Sequence, residues 1–344
     1  MHMADALVSP AVGGTMWAVT AGLAAYSAKK VQAEMDEKKV PLMGVLGAFI
    51  FAAQMINFSI PGTGSSGHLG GGLILAILLG PYAGFLTMAS ILIVQALFFA
   101  DGGLLSLGCN IFNMGFYTCF VTYPLIYRRL NESKSSSKRI VWGAMLAAVI
   151  GLQLGAFSVV LETVFSGVSE LPFKTFVLLM QPIHLGIGIV EGLITAAVIS
   201  FVWKARPEIL ENAAAAKPLG KIAMKKVLTG LIIVTVLTGG VLSWFASTHP
   251  DGLEWSMFQT SGKEEIASQE TLHRSLAKIQ EHTAVLPDYG FKSKPEDSAD
   301  APQAAAWPAV DSGTSLSGLV GAAITLILAG VIGLGLRVLK TRNR

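Results

Sequence analysis

Apolar residues run through this chain in blocks of about twenty, separated by short polar stretches, with neither the alternation of a half-buried strand nor the stripe of an amphipathic surface helix. A helical run of that length matches the ~30 Å hydrocarbon core of a bilayer, so each block is expected to be a transmembrane helix. The blocks lie near residues 6–28, 40–56, 68–80, 82–100, 107–127, 140–162, 175–203, 223–246 and 315–338, which makes nine expected helices. The third is short. NFSIPGTGSSG, residues 57–67, precedes it, and Pro61 with the glycines around it prevents a regular helix at membrane depth. This stretch is expected to be a loop folding into a cavity.

Composition agrees with that pattern. Only 14% of the 344 residues are charged, against roughly 25% in an ordinary soluble domain, and the mean hydropathy is +0.60. A soluble protein is excluded, and the expected class is an all-α polytopic membrane protein: a seven-helix bundle plus two further transmembrane helices. The net charge of +3 suggests no nucleic-acid partner, because the basic residues form short clusters between the apolar blocks. When the loops are placed alternately on two sides, nineteen of the twenty-five Lys and Arg fall on one side, which should be cytoplasmic. The N-terminus is then outside and the C-terminus inside. No basic residue precedes the first block and Lys29 and Lys30 follow it at once, which argues against a cleaved signal peptide. A free, external N-terminus is expected. Cys109 and Cys119 form no C-x-x-C and read as small apolar packing residues.

A charged, Ala-rich stretch at 206–222 reads as a cytoplasmic linker between a first unit, 1–205, and a second, 223–344. The second unit carries an external loop, 247–312, with eleven acidic and five basic residues. Such a charge suits electrostatic loading of cations more than tight ligation. Residues 262–282 are expected to be a short helix and 293–313 a tether. His249, His273 and His282 lack the i, i+4 spacing of a helical ligand pair and are expected on a solvated face.

Several groups could carry chemistry. The α-amine of Met1, the His2 amide nitrogen and a His2 ring nitrogen can close adjacent five- and six-membered chelate rings around one ion, and His68, at the end of the glycine loop, can supply a fourth nitrogen. Planar four-nitrogen binding suits Ni(II) or Cu(II), with Co(II) less favoured. If ordinary imidazole pKa values near 6.5 apply, both histidines protonate and compete with the ion below that pH. Gly62, Gly64 and Gly67 form a literal G-x-G-x-x-G, but a dinucleotide site needs a strand and a soluble βαβ unit, so a nucleotide is not expected. Ionisable groups inside membrane spans are functional candidates: Glu162, and His184 with Glu191, seven residues apart and so on one helix face. These could be an interhelical pair or could serve a metal route. Asn110 and Asn113, about one turn apart, could bond between helices or orient a ligand histidine. No H-E-x-x-H occurs, which argues against an intramembrane zinc protease, and no Walker A motif occurs, so the chain does not hydrolyse ATP by that route and energy is expected from a partner or a gradient. No resident cofactor is implied. In the first block Ala21 with Ala25, and Ala18 with Gly22, have the small-xxx-small spacing that lets helices approach closely, and this face is expected to meet a membrane partner.

MHMADALVSP, GTGSSGHLGGG, GCNIFNMG and PIHLGIGIVEG together resemble the CbiM/NikM family, the substrate-binding membrane components of energy-coupling-factor cobalt/nickel transporters. The resemblance covers residues 1–205. HPDGLEWS and LPDYGF in the remainder resemble the PDGLE-type, NikN-like accessory subunit, here fused to the same chain. The family's metal site maps onto Met1, His2 and His68. Ala6 stands where relatives commonly have glycine, while Asp5, Ser9 and Pro10 resemble the nickel branch more than the cobalt branch. The resemblance implies a transporter subunit of the inner membrane that captures Ni(II) or Co(II), nickel slightly favoured, with a membrane coupling (T) component and cytoplasmic ATPases as partners. Other readings are an intramembrane enzyme using Glu162, His184 and Glu191, and a vitamin-binding component of the same transporter type.

Overall fold

The structure is a computed structural model and describes residues 2–131, 136–168, 171–220, 222–262, 271–292 and 307–342. In chain order the helices are α1 (Pro10–Glu34), α2 (Lys39–Gln54), α3 (Gly72–Leu79), α4 (Pro81–Phe99), and α5 (Leu107–Ile111), which continues as a π-helix over Phe112–Arg128. They are followed by α6 (Ser137–Ser166), α7 (Phe173–Ala205), α8 (Pro207–Ala214), α9 (Lys225–Gly240), α10 (Gly252–Ser261), α11 (Thr271–Thr283) and α12 (Ser312–Arg342). Each expected apolar block carries a helix, and among the described residues α4, α6, α7 and α12 are long and apolar enough to cross a membrane. Leu178, Leu193, Ile233 and Ile327 remain exposed on α7, α9 and α12, as lipid-facing positions should.

Local chemistry sets the ends. Ser9 accepts the Val12 N–H at 3.4 Å and Pro10 opens α1, while Ser136 caps α6 and Gly167, at φ +63°, stops it. The third block is helical over only eight residues, about 12 Å at 1.5 Å per residue. Gly80 and Pro81 break the helix there, so α3 alone is too short to span a bilayer.

That loop contains structure the apolar pattern does not reveal. β1 (Phe58–Ile60) and β2 (Ser65–Gly67) pair antiparallel, with Ser59 opposite Ser66, and Gly62 and Gly64 turn the hairpin. The literal G-x-G-x-x-G is thus a hairpin, with no nucleotide-binding βαβ unit around it. The second unit docks on it: the Ser66 N–H donates to the Pro250 carbonyl at 2.8 Å and the Ser247 N–H to the Asn57 carbonyl at 2.7 Å.

HPDGLEWS acquires a physical meaning here. Asp251 is the N-cap of α10, accepting from Leu253 N at 2.7 Å and Glu254 N at 2.9 Å, and the Glu254 carboxylate accepts the Asp251 N–H at 3.0 Å, a complete capping box. Leu253 is buried. Gly252 lies so close to α7 that a Cβ there would come within 2.6 Å of Ile183 Cγ2. Gly252→Val is therefore expected to undock α10 and destabilise the protein by about 1–3 kcal/mol, measured as a lower melting midpoint in detergent; an unchanged midpoint would show that the contact is slack.

Within the stretch 206–222, expected to be a linker, lies α8, whose Ile209, Leu210 and Ala213 are buried. Two other expectations change. Helix in the external loop occurs at 252–261 and 271–283, while 263–270 of the expected helix and most of the expected tether lie outside the described residues. His273 is not on a solvated face: it is 5% exposed and its Nε2–H donates to the Val8 carbonyl at 2.9 Å, whereas His249 and His282 are exposed. Spacing along α11 could not reveal this, because the burying surface belongs to the N-terminal segment. α9 and α12 pack on each other and on α2, with Gly239 and Gly318 in backbone contact.

Candidate metal centre

The N-terminal segment is held by its third residue. Asn110 Oδ1 accepts the Met3 N–H at 2.8 Å and its Nδ2 donates to the Met3 carbonyl at 3.2 Å, so one side-chain amide grips both backbone polar groups of one residue. The Gly103 N–H also donates to the Met3 carbonyl, at 2.9 Å, and the Met3 side chain is fully buried. Asp5 Oδ1 accepts from Leu105 N at 2.7 Å and Ser106 N at 3.0 Å, tying the segment to the turn between α4 and α5. His2 is thereby set against that turn. Met1 lies outside the described residues.

His68 arrives from the other side, on the strand leaving the hairpin. Its position depends on Glu191 of α7, whose two carboxylate oxygens accept the Gly70 and Gly71 N–H groups at 2.8 and 3.0 Å. Gly71, at φ +79°, uses a conformation that disfavours a side chain. The His68 Nδ1–H donates to the Leu69 carbonyl at 3.1 Å, which places the ring's lone pair on Nε2. Burial pushes the His68 pKa down to about 3.

His2 and His68, sixty-six positions apart in sequence, stack with ring centroids 5.0 Å apart and an interplanar angle of 4°. His2 Nδ1 lies 3.0 Å from Asp101 Oδ1, and His2 Nε2 is buried without a hydrogen-bond partner. Asp101 follows α4, where Ala100 turns the chain at φ +56°. Burial alone would raise the Asp101 pKa, but the paired His2 imidazole and the Tyr289 hydroxyl hold it down at about 2, so its carboxylate is charged. A cavity of about 590 Å³ opens beside these groups. His2, His68 and Asp101 line it from the first unit, and Asp251, Glu254 and Arg274 from the second. Among the described residues, no three His, Cys, Asp or Glu side chains are grouped as a metal site.

The other sequence candidates are placed individually. Asn113 Nδ2 donates to Glu162 Oε2 at 2.7 Å and lies 3.9 Å from Met3 Sδ, below the N-terminal segment. His184 and Glu191 share a helix face but do not pair with each other. The His184 Nδ1–H donates to the Met180 carbonyl one turn back at 2.8 Å, and its ring borders a small cavity of about 10 Å³ that His68, Met114 and Asp251 also line. Asp101 and Tyr289 were not singled out by the apolar pattern. Asp101 is the only carboxylate between Glu37 and Glu132, and that isolation was the available signal.

Residues 2–209 match the family described as cobalt uptake substrate-specific transmembrane region, CbiM. The chain belongs to this family. Residues 225–338 match the PDGLE domain, so the family's region is followed here by a PDGLE unit in one chain. The chain is similar to the "Putative fused nickel transport protein NikMN" of Archaeoglobus fulgidus, with 37% identity over 69% of this chain and 76% of that protein. It is also similar to the "Fused nickel transport protein NikMN" of Rhodobacter capsulatus, with 29% identity over 99% of each. A crystal structure of a transition metal transporter superposes with a TM-score of 0.53 at 32% identity, covering 60% of this chain and 93% of that one. This family member is thus a multi-pass membrane component of metal transport and not an enzyme.

Proposed function

We propose that this chain captures Ni(II) or Co(II), with nickel favoured, at an external site built from the Met1 amine, the His2 amide and ring nitrogens, and His68. The observation that carries the reading is that His2 and His68, remote in sequence, meet ring against ring in one cavity. Square-planar nitrogen donation suits Ni(II) and Cu(II) and not Mg(II) or Ca(II). Asn110 anchors the segment, Glu191 holds the His68 loop, and Asn113 and His184 lie deeper, beside the route an ion would take inward. Residues 1–205 act as the binding unit, 206–222 as the connection and 223–344 as the PDGLE unit, whose acidic external loop aids loading. The N-terminus faces outward and the C-terminus the cytoplasm of an inner membrane. Glu162, His184 and Glu191 each bond a different partner, which does not favour a shared catalytic site.

Binding isotherms of the purified protein for Ni(II) and Co(II) test the reading. His2→Ala is expected to abolish binding and His68→Ala to leave a weaker three-nitrogen site; wild-type affinity in both would move the site elsewhere.

The energy for transport comes from a separate membrane coupling protein and cytoplasmic ATPases. Ala18, Ala21, Gly22 and Ala25 support that partnership, because all four are exposed on α1, unused by this chain's own packing. Ala21→Leu with Ala25→Leu is expected to reduce copurification of the coupling protein severalfold with metal affinity unchanged. Undiminished copurification would place the interface on another helix.

A further inference from the structure

The side chain bonded to His2 is itself held by the second unit. The Tyr289 hydroxyl donates to Asp101 Oδ2 at 2.5 Å, while Asp101 Oδ1 takes the His2 Nδ1 contact at 3.0 Å. The carboxylate therefore bridges the LPDYGF motif and the second residue of the chain. The Tyr289 ring is wedged in place, stacked on Phe99 at 5.0 Å and edge-on to Phe51 at 6.2 Å. Asp288 and Tyr289 both have positive φ, +50° and +60°, which is costly for consecutive non-glycine residues and persists only where the surroundings enforce it.

This bridge falls on the atom the proposed chelate requires. A six-membered ring through the His2 amide nitrogen, Cα, Cβ and Cγ closes only at Nδ1, while Nε2 points away from the backbone. Asp101 and the ion thus contend for the same nitrogen. The parallel rings add a second constraint: an imidazole lone pair lies in its ring plane, so one ion cannot lie in the planes of two stacked rings at once. His2 has to turn out of the stack, and away from Asp101, before both histidines can bind the same ion.

We propose that Asp101 and Tyr289 are positioning residues that form a latch on His2: they hold its Nδ1 away from the ion, weaken the chelate and speed metal release, so that the PDGLE unit acts on the metal through Tyr289. The latch rests on the His2 reading above. Its physical purpose is that a fused planar nitrogen chelate tends to be tight, while a transport site must also let go.

The test uses the full-length protein with a native N-terminus and a C-terminal tag. It is loaded with Ni(II), and release into excess chelator is followed by the visible absorption band of planar Ni(II). Asp101→Asn is expected to slow release and tighten binding about tenfold. Tyr289→Phe, which keeps the stacked ring, is expected to act in the same direction about threefold, and the double variant to match Asp101→Asn. The band position is expected to stay unchanged, since no ligand is lost. Structural damage would loosen binding, so the sign is diagnostic, and Tyr289→Phe carries the test if Asp101→Asn does not fold. Unchanged or faster release in the variants overturns the latch, leaving Asp101 as a support for the bound ligand. Wild-type protein that binds no Ni(II), or binds it equally after His2→Ala, overturns the functional reading beneath it.

Discussion

A histidine-free N-terminal tag is expected to abolish tight Ni(II) and Co(II) binding while leaving the fold intact. The tag keeps every side chain but carries the free α-amine away from the His2 amide, so the adjacent five- and six-membered rings no longer close. The loss should exceed the roughly 10–100-fold drop that follows removal of an outer-shell partner, because a chelating donor is lost outright. The fold should survive because the anchor begins at Met3, with its backbone in the grip of Asn110 and its side chain buried, downstream of the tag. Mass spectrometry confirms the tag and chelator-competition titration reads the affinity; native affinity in the tagged protein would remove Met1 and His2 from the site.

Glu191→Ala is expected to cost both stability and metal affinity, through the backbone it holds. Its carboxylate satisfies two buried N–H groups, and leaving each without a partner costs about 1–3 kcal/mol. The segment it secures includes Gly71 in the left-handed region and begins two residues after His68, so its relaxation moves the ligand proposed above. A drop of about 10–100-fold in Ni(II) affinity should accompany the lower melting midpoint. Glu191→Gln, with one oxygen to accept and an NH2 facing an N–H donor, should fall between Ala and wild type. Equal midpoint and affinity for Glu191→Ala and wild type would show that the loop holds itself.

The candidate ligands were legible because their chemistry is local. A histidine at position two needs only its own backbone to begin a chelate, and His68 stands in a glycine-rich stretch that could not be helix at membrane depth. Their supports were legible only in part. Asn110 and Glu191 were conspicuous as polar residues in apolar sequence, but whether they face a helix, an ion or a loop depends on which backbone groups lie opposite. Asn110 turned out to grip Met3, 107 positions away, and Glu191 to cap Gly70, 121 positions away. HPDGLEWS was visible as a motif, yet the service of Asp251 and Glu254 to a helix start, and of Gly252 to a close approach, follows from the packing of α10 on α7.

The all-α membrane class and the location of the apolar helices are written along the chain, since burial in lipid requires about twenty apolar residues per helix. The nitrogens proposed as donors are also written there, because amine, amide and imidazole groups are present irrespective of fold. The tertiary structure decided where the two histidine rings meet, that Asp101 and not another helix's polar residue sits on His2, that His273 is buried, and that the second unit forms one wall of the cavity. Each of these is a contact between segments far apart in the chain, and the hydrophobic periodicity of one segment carries no information about which distant surface will cover it.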